Sequence, residues 1–177
     1  MNISIKQFQL FQVTEEAVNI NLLNPVIETL LQFNAEKAGL RYDLQIRLAK
    51  AIEKAVKEFH EQRIKLCEEL SEKKTVEFKD GRKEDVLYEV IDADEKTDAN
   101  NLIVKVNDVK VKGKKTLSAA YDLAKNKDEF EKKFIELLNH EIELDCQKIR
   151  LSKLDAEKDS STLNFIALEN FIIDDRS

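Results

Sequence analysis

Between residues 41 and 71 the apolar side chains Leu44, Leu48, Ile52, Ala55, Phe59, Leu66 and Leu70 return every three or four positions, the spacing of one helical face. Glu53 with Lys57 and Glu61 with Lys65 lie on the outward side in the favourable i, i+4 order. At about 1.5 Å per residue such a helix spans roughly 45 Å. An apolar stripe of that length needs a partner of similar length, from this chain or from a second copy.

A second stripe, Phe130, Phe134, Leu137 and Leu138, follows the capping-box pattern Asn126-Lys127-Asp128-Glu129 and is expected to pack antiparallel on the first. Between the stripes the composition changes at Ser71. Thr75 to Lys79, Val86 to Ile91, Leu102 to Val106 and Val109 to Lys112 are short, β-branched and alternating. Asp80-Gly81, the acidic stretch at residues 92–101 and Asn107-Asp108 separate them, which predicts a small antiparallel sheet. Thr116 can cap a short helix carrying Leu117, Ala120, Tyr121 and Ala124 on one face.

The flanks are read similarly. Ile3, Ile5, Phe8 and Leu10 recur at period two and suggest a strand over residues 2–13. Asn24-Pro25 opens a helix over 25–37, and Gly39 stops it. After His140 the pattern is ambiguous, since Ile142, Leu144 and Cys146 alternate while Leu138, Ile142, Cys146 and Ile149 satisfy a helix. Leu163, Phe165, Ile166, Leu168, Phe171 and Ile172 predict a closing apolar helix over 162–173. The expected fold is α+β: a long antiparallel helical hairpin, coiled-coil-like, with a small antiparallel β-sheet inserted at its tip. Residues 1–72 and 126–177 form the hairpin and terminal elements, and 73–125 the β-rich insertion.

Composition excludes several functions. A chain of 177 residues with one ordinary core can bury roughly 70% of its unfolded surface without a disulfide or metal staple. Three glycines, Gly39, Gly81 and Gly113, are too few and too far apart for a phosphate loop or a dinucleotide fingerprint. No apolar run approaches the roughly twenty residues that cross a bilayer, and the alternating N-terminus does not read as a signal peptide. These readings place the chain in a cytoplasm. With 29 basic and 35 acidic residues the net charge is −6, which disfavours general duplex binding. Cys67 and Cys146 sit inside apolar patterns and read as small buried hydrophobes.

Residues 40–70 (LRYDLQIRLAKAIEKAVKEFHEQRIKLCEEL), with DEFEKKFIELLNHEIELDCQKIRLSKLD and LNFIALENFIID further on, resemble a family of small uncharacterised proteins of tailed bacteriophages of Gram-positive hosts. The likeness covers residues 25–70 and 128–174; the middle, 75–125, is longer and more β-rich than in those relatives. It implies a viral origin, hence the host cytoplasm or the virion, and a strand after His140. It implies no activity.

Individual residues carry little chemistry. His60, Cys67, His140 and Cys146 invite a zinc reading, but residues seven apart on a helix are separated by roughly 10 Å along its axis, too far for one ion. His60-Glu61 lacks the second zinc-protease histidine, because Ile64 stands four residues on. Asp92, Asp94, Lys96 and Asp98 begin like a calcium loop, but Lys96, Thr97 and Ile103 break the pattern, so a solvated turn is favoured. Glu77-Phe78-Lys79 could seat a nuclease metal only with another carboxylate, which spacing does not supply. Neither histidine is tied to a nucleophile. Lys105, Lys110, Lys112, Lys114 and Lys115, with Lys79, Arg82 and Lys83, form a basic group suited to phosphate or an acidic protein. The plainer reading, and the favoured one, is a sheet edge guarded by lysines.

The expectation is a noncatalytic phage protein that acts by protein–protein contact or self-association, as a virion, assembly or accessory factor. It needs no cofactor or metal. The alternative is an inhibitor of a host enzyme or antiviral defence system. The partner-binding residues expected are Asp92, Asp94, Glu95 and Asp98 in the acidic loop and Phe165, Leu168 and Phe171 in the closing helix.

Overall fold

The computed structural model describes residues 2–11, 42–150, 152, 169–173 and 175. The predicted helix over 25–37 and most of the closing helix, including Phe165 and Leu168, lie outside them. The chain divides into two compact units, Met1–Gln62 with Ile135–Ser177, and Arg63–Phe134.

In the first unit, strand β1 (Ile3–Lys6) pairs antiparallel with β7 (Glu141–Leu144), Ile3 opposite Leu144 and Ile5 opposite Ile142. The ambiguity after His140 thus resolves as strand, and Ile3, Ile5 and Leu144 are buried. β1 ends earlier than alternation predicts, because Gln7–Leu10 winds into a 3-10 turn that buries Gln7 and Leu10. The short strands β8 (Ile149–Arg150) and β9 (Ile172–Ile173) pair in parallel. Preceding β9, Glu169–Phe171 is a 3-10 turn, so the described end of the predicted closing helix is not α-helical. The helix α1 (Ala49–Leu70) follows a π-type stretch, Tyr42–Leu48. The predicted stripe is buried at Leu48, which ends that stretch, and at Ile52, Ala55 and Phe59 of α1, and Phe11 lies 4.9 Å from Phe59 between ring centroids.

The second unit is built on strands: β2 (Lys74–Phe78), β3 (Lys83–Val86), β4 (Tyr88–Asp92), β5 (Ile103–Val106) and β6 (Val109–Tyr121). All pairings are antiparallel, in the order β3-β2-β5-β6-β4. The two outermost strands of that order, β3 and β4, are parts of one stretch of chain broken only at Leu87. The two margins of the sheet are therefore joined by backbone at Leu87, although β3 and β4 are not paired with each other. Val76, Phe78, Val86 and Ile103 are buried, with Val90, Val106, Val111 and Leu117 packed against them. The helix α2 (Lys127–Leu138) completes the described elements, with Phe130 stacked on Phe134 at 5.6 Å.

The long helical hairpin with a sheet at its tip is not formed, and neither is a coiled coil. Among the described residues there are only two α-helices, of 22 and 12 residues, and the dominant element is the five-stranded sheet. Much of the stripe on α2 is used as Phe130, Phe134 and Leu138, but the helix is little more than half the length of α1 and cannot cover it. The helix predicted after Thr116 is instead the second half of β6, where Tyr121 pairs with Tyr88 and Leu117 with Val90. The Asn126 side chain does not close a capping box: its Nδ2 donates to the Leu70 carbonyl at 2.7 Å. Among the described residues no helix is long and apolar enough to cross a membrane.

Candidate functional site

The sequence Asn107-Asp108 sets up the site. Both residues take positive φ, +48° and +63°, the backbone that lets a two-residue turn join strands of right-handed twist. Asn and Asp tolerate this region better than most side chains. The turn is also clamped: the Asn107 N–H donates to the Thr75 carbonyl at 2.8 Å, and its Oδ1 accepts from the Thr75 N–H at 3.0 Å.

From this turn β6 runs back along β5 with Val109 opposite Val106 and Lys110 opposite Lys105. The register then slips. The next pair is Ile103 with Lys115, so Val104 alone faces the four residues Val111 to Lys114. Gly113, at φ +74°, sits in this bulge, where a positive φ favours glycine. The bulge opens a cleft of about 420 Å³ lined by Glu77, Ile103, Val104, Lys105, Lys110, Val111 and Gly113.

Charge is laid out in a row across the sheet, Lys83, Glu77, Lys105 and Lys110 being successive cross-strand partners. Glu77 accepts from Lys105 at 3.0 and 3.1 Å and lies 3.5 Å from Lys83, and the Lys105 hydrogen bond holds its carboxyl below the usual range. Glu77 thus serves Lys105 and shares Lys83 with Asp108, which lies 3.3 Å from that lysine, and Lys110, opposite Lys105, has no carboxylate among the described residues. Elsewhere on or beside the sheet Lys73 pairs with Asp85, Lys74 with Asp122, Lys115 with Asp92 and Lys125 with Glu72, while Lys79 and Lys96, outside the strands, make no ion pair among the described residues. Arg82 lies 4.4 Å over the Phe78 ring and reaches Glu84 at 3.2 Å. Lys110, Lys112 and Lys114 are exposed and make no ion pair among the described residues.

The position of β6 qualifies the lysine-guarded-edge reading. Lys115 has Ile103 on one side and Asp92 on the other, so β6 is interior there. β4 stops at Asp92, and only Ala93 adds a further bond, its N–H to the Lys114 carbonyl at 2.9 Å. Val109 to Gly113 therefore keep one edge without a strand against it among the described residues.

The acidic loop is mainly self-supporting. Asp92 pairs with Lys115 at 2.6 Å. Asp94 accepts from the Lys96 N–H and the Thr97 hydroxyl, both at 2.9 Å, and Asp98 accepts from the Asn100 N–H at 2.9 Å. Glu95 points to solvent. Phe171 is fully buried and offers no surface to a partner. Cys67 and Cys146 are free, buried thiols pushed up by burial. His60 packs edge-on near Phe11 and Phe59, and the His140 carbonyl accepts from the Gln7 N–H. Among the described residues no three His, Cys, Asp or Glu converge as metal ligands. Lys79 falls in the turn after β2, so Glu77 and Lys79 do not share a strand.

No protein-family model, curated protein or solved structure matches this chain. The lysines and an edge guarded by them were legible in the sequence; which stretch of β6 is the edge was not, because it depends on where β4 ends relative to β6.

Proposed function

We propose that this chain is a noncatalytic phage protein that works by contact with another protein, as a virion, assembly or accessory factor, and that the β5–β6 hairpin presents the contact. One observation carries the reading: Lys110, Lys112 and Lys114 stand exposed and, among the described residues, unpaired beside a cleft with apolar walls, whereas Lys74, Lys83, Lys105 and Lys115 on the same sheet have carboxylates. Unpaired cations beside apolar surface suit an acidic protein segment, which gains charge pairing and burial together. The viral setting rests on the sequence motifs of residues 40–70 and 128–174.

The inhibitor alternative would use the 92–98 loop together with the variable sheet, so it differs from this reading in the part given to the loop. Asp94 and Asp98 are occupied in holding their own turns, and Asp92 is occupied by Lys115, which leaves the lysine strand the better surface.

The test is affinity capture from infected cells with the full chain and with a Lys110→Glu, Lys112→Glu, Lys114→Glu variant, the retained protein being identified and rebound in pure form. The expected result is one partner held by the parent chain and lost by the variant. Equal retention removes the proposed surface, and retention lost only on neutralising Asp92, Asp94, Glu95 and Asp98 transfers the function to the acidic loop.

A further inference from the structure

We infer that the partner docks as an extended strand, with acidic and apolar side chains alternating, added to the open edge of β6 between Val109 and Gly113. This deepens the contact reading above and rests on it. The edge supplies the first requirement of strand addition, a run of backbone with no strand beside it among the described residues: β4 ends at Asp92, level with Lys115, while β6 continues through Gly113 to the hairpin turn. The hairpin end of this edge is firmly placed, since the turn is clamped to Thr75 from both the Asn107 backbone and side chain, and Lys110 is the last residue in ladder with β5 before the bulge.

The side chains specify the occupant. Along this edge the sequence reads Val109, Lys110, Val111, Lys112, so apolar and cationic positions alternate to opposite faces. Val111 packs toward the buried cluster, whereas Val109, in phase with it, is 69% exposed, the most exposed large apolar side chain described. A strand laid alongside meets valines on one face and lysines on the other, and cross-strand pairs of matching polarity are the unit of sheet stabilisation. Its complement is a segment with Glu or Asp opposite the lysines and a β-branched residue opposite the valines. A second copy of this chain is a poor occupant, because edge-to-edge pairing sets lysine against lysine. In this mode main-chain bonds provide affinity and the alternating side chains provide selectivity.

The experiment uses the full chain and three synthetic probes: a peptide alternating glutamate and valine, the same residues in scrambled order, and the alternating peptide N-methylated on the amides that would face β6. Binding is read by peptide fluorescence anisotropy, and amide exchange of β6 by NMR. Strand addition predicts that the alternating peptide binds and slows exchange between Val109 and Gly113, and that N-methylation weakens it by roughly tenfold or more without changing its charge. A Lys110→Glu, Lys112→Glu variant, checked for folding by circular dichroism, should lose this peptide and gain one alternating lysine and valine. Equal binding of the N-methylated or scrambled peptide overturns strand addition while leaving a cationic contact surface intact. No binding by any probe overturns the inference and returns the lysines to guarding the edge, and the capture experiment then decides the function separately.

Discussion

Lys74 and Asp122 form an ion pair in which both side chains are nearly enclosed, 16% and 8% exposed, joining the first residue of β2 to the residue that follows β6. Asp122 is held on its backbone as well, its carbonyl accepting from the Glu72 N–H at 2.9 Å and its N–H donating to the Leu87 carbonyl at 2.8 Å. Removing one member strands a charge in low dielectric. Asp122→Ala should therefore lower unfolding free energy by about 3 kcal/mol, and Lys74→Met with Asp122→Leu together should cost less than Asp122→Ala alone. Urea denaturation of both variants checks the order; a double variant worse than the single contradicts it.

Phe59 is fully buried and meets Phe11 ring to ring. Phe59→Ala should destabilise the chain by about 4 kcal/mol through lost burial and the cavity left behind. Phe59→Leu, which keeps most of the volume, should cost roughly 1.5 kcal/mol or less by the same measurement.

Gly113 has no heavy atom within 4 Å of where a Cβ would stand, yet its φ is +74°. Gly113→Ala should cost about 1 kcal/mol by backbone strain alone. Gly113→Asn should cost less, since Asn tolerates that region. Equal costs for the two would point to crowding that the geometry does not contain.

Glu72, Glu77, Asp85 and Asp175 are all held below their ordinary range, by Lys125, Lys105, Lys73 and the Ser152 backbone N–H respectively. Each binds its proton less readily folded than unfolded. The stability they add is present above the ordinary carboxylate pKa of about 4 and is lost as pH falls through the lower folded values. Urea midpoints should change little on this account from neutrality to mild acid and then drop. A midpoint that rises on acidification would contradict these pairings.

Burial raises both cysteine thiols, and each is less than a tenth exposed. A thiol reagent should therefore label the native chain slowly and the denatured chain fast at both positions. Rapid native labelling of either residue would place it nearer solvent.

The α1 stripe was legible because burial on one face leaves a 3.6-residue period that no other element imitates over twenty residues. The β2, β5 and hairpin signals were legible too, through β-branched alternation and Asn107-Asp108. Thr116 to Ala124 misled, because Leu117, Ala120, Tyr121 and Ala124 match a helix face, while the cross-strand partners Val90 and Tyr88 that select a strand lie some thirty residues earlier. The break at Leu87 was hidden for the same reason: the VLYEVI run alternates on both sides of it. Lys110 and Lys112 could be read as edge lysines, but only strand order separates them from Lys115, which has a strand on both sides.

The single break at Leu87 has a mechanical consequence. Leu87 ties the two margins of the sheet together through backbone alone, so a cut there would leave β3 held only by its ladder to β2 and β4 only by its ladder to β6.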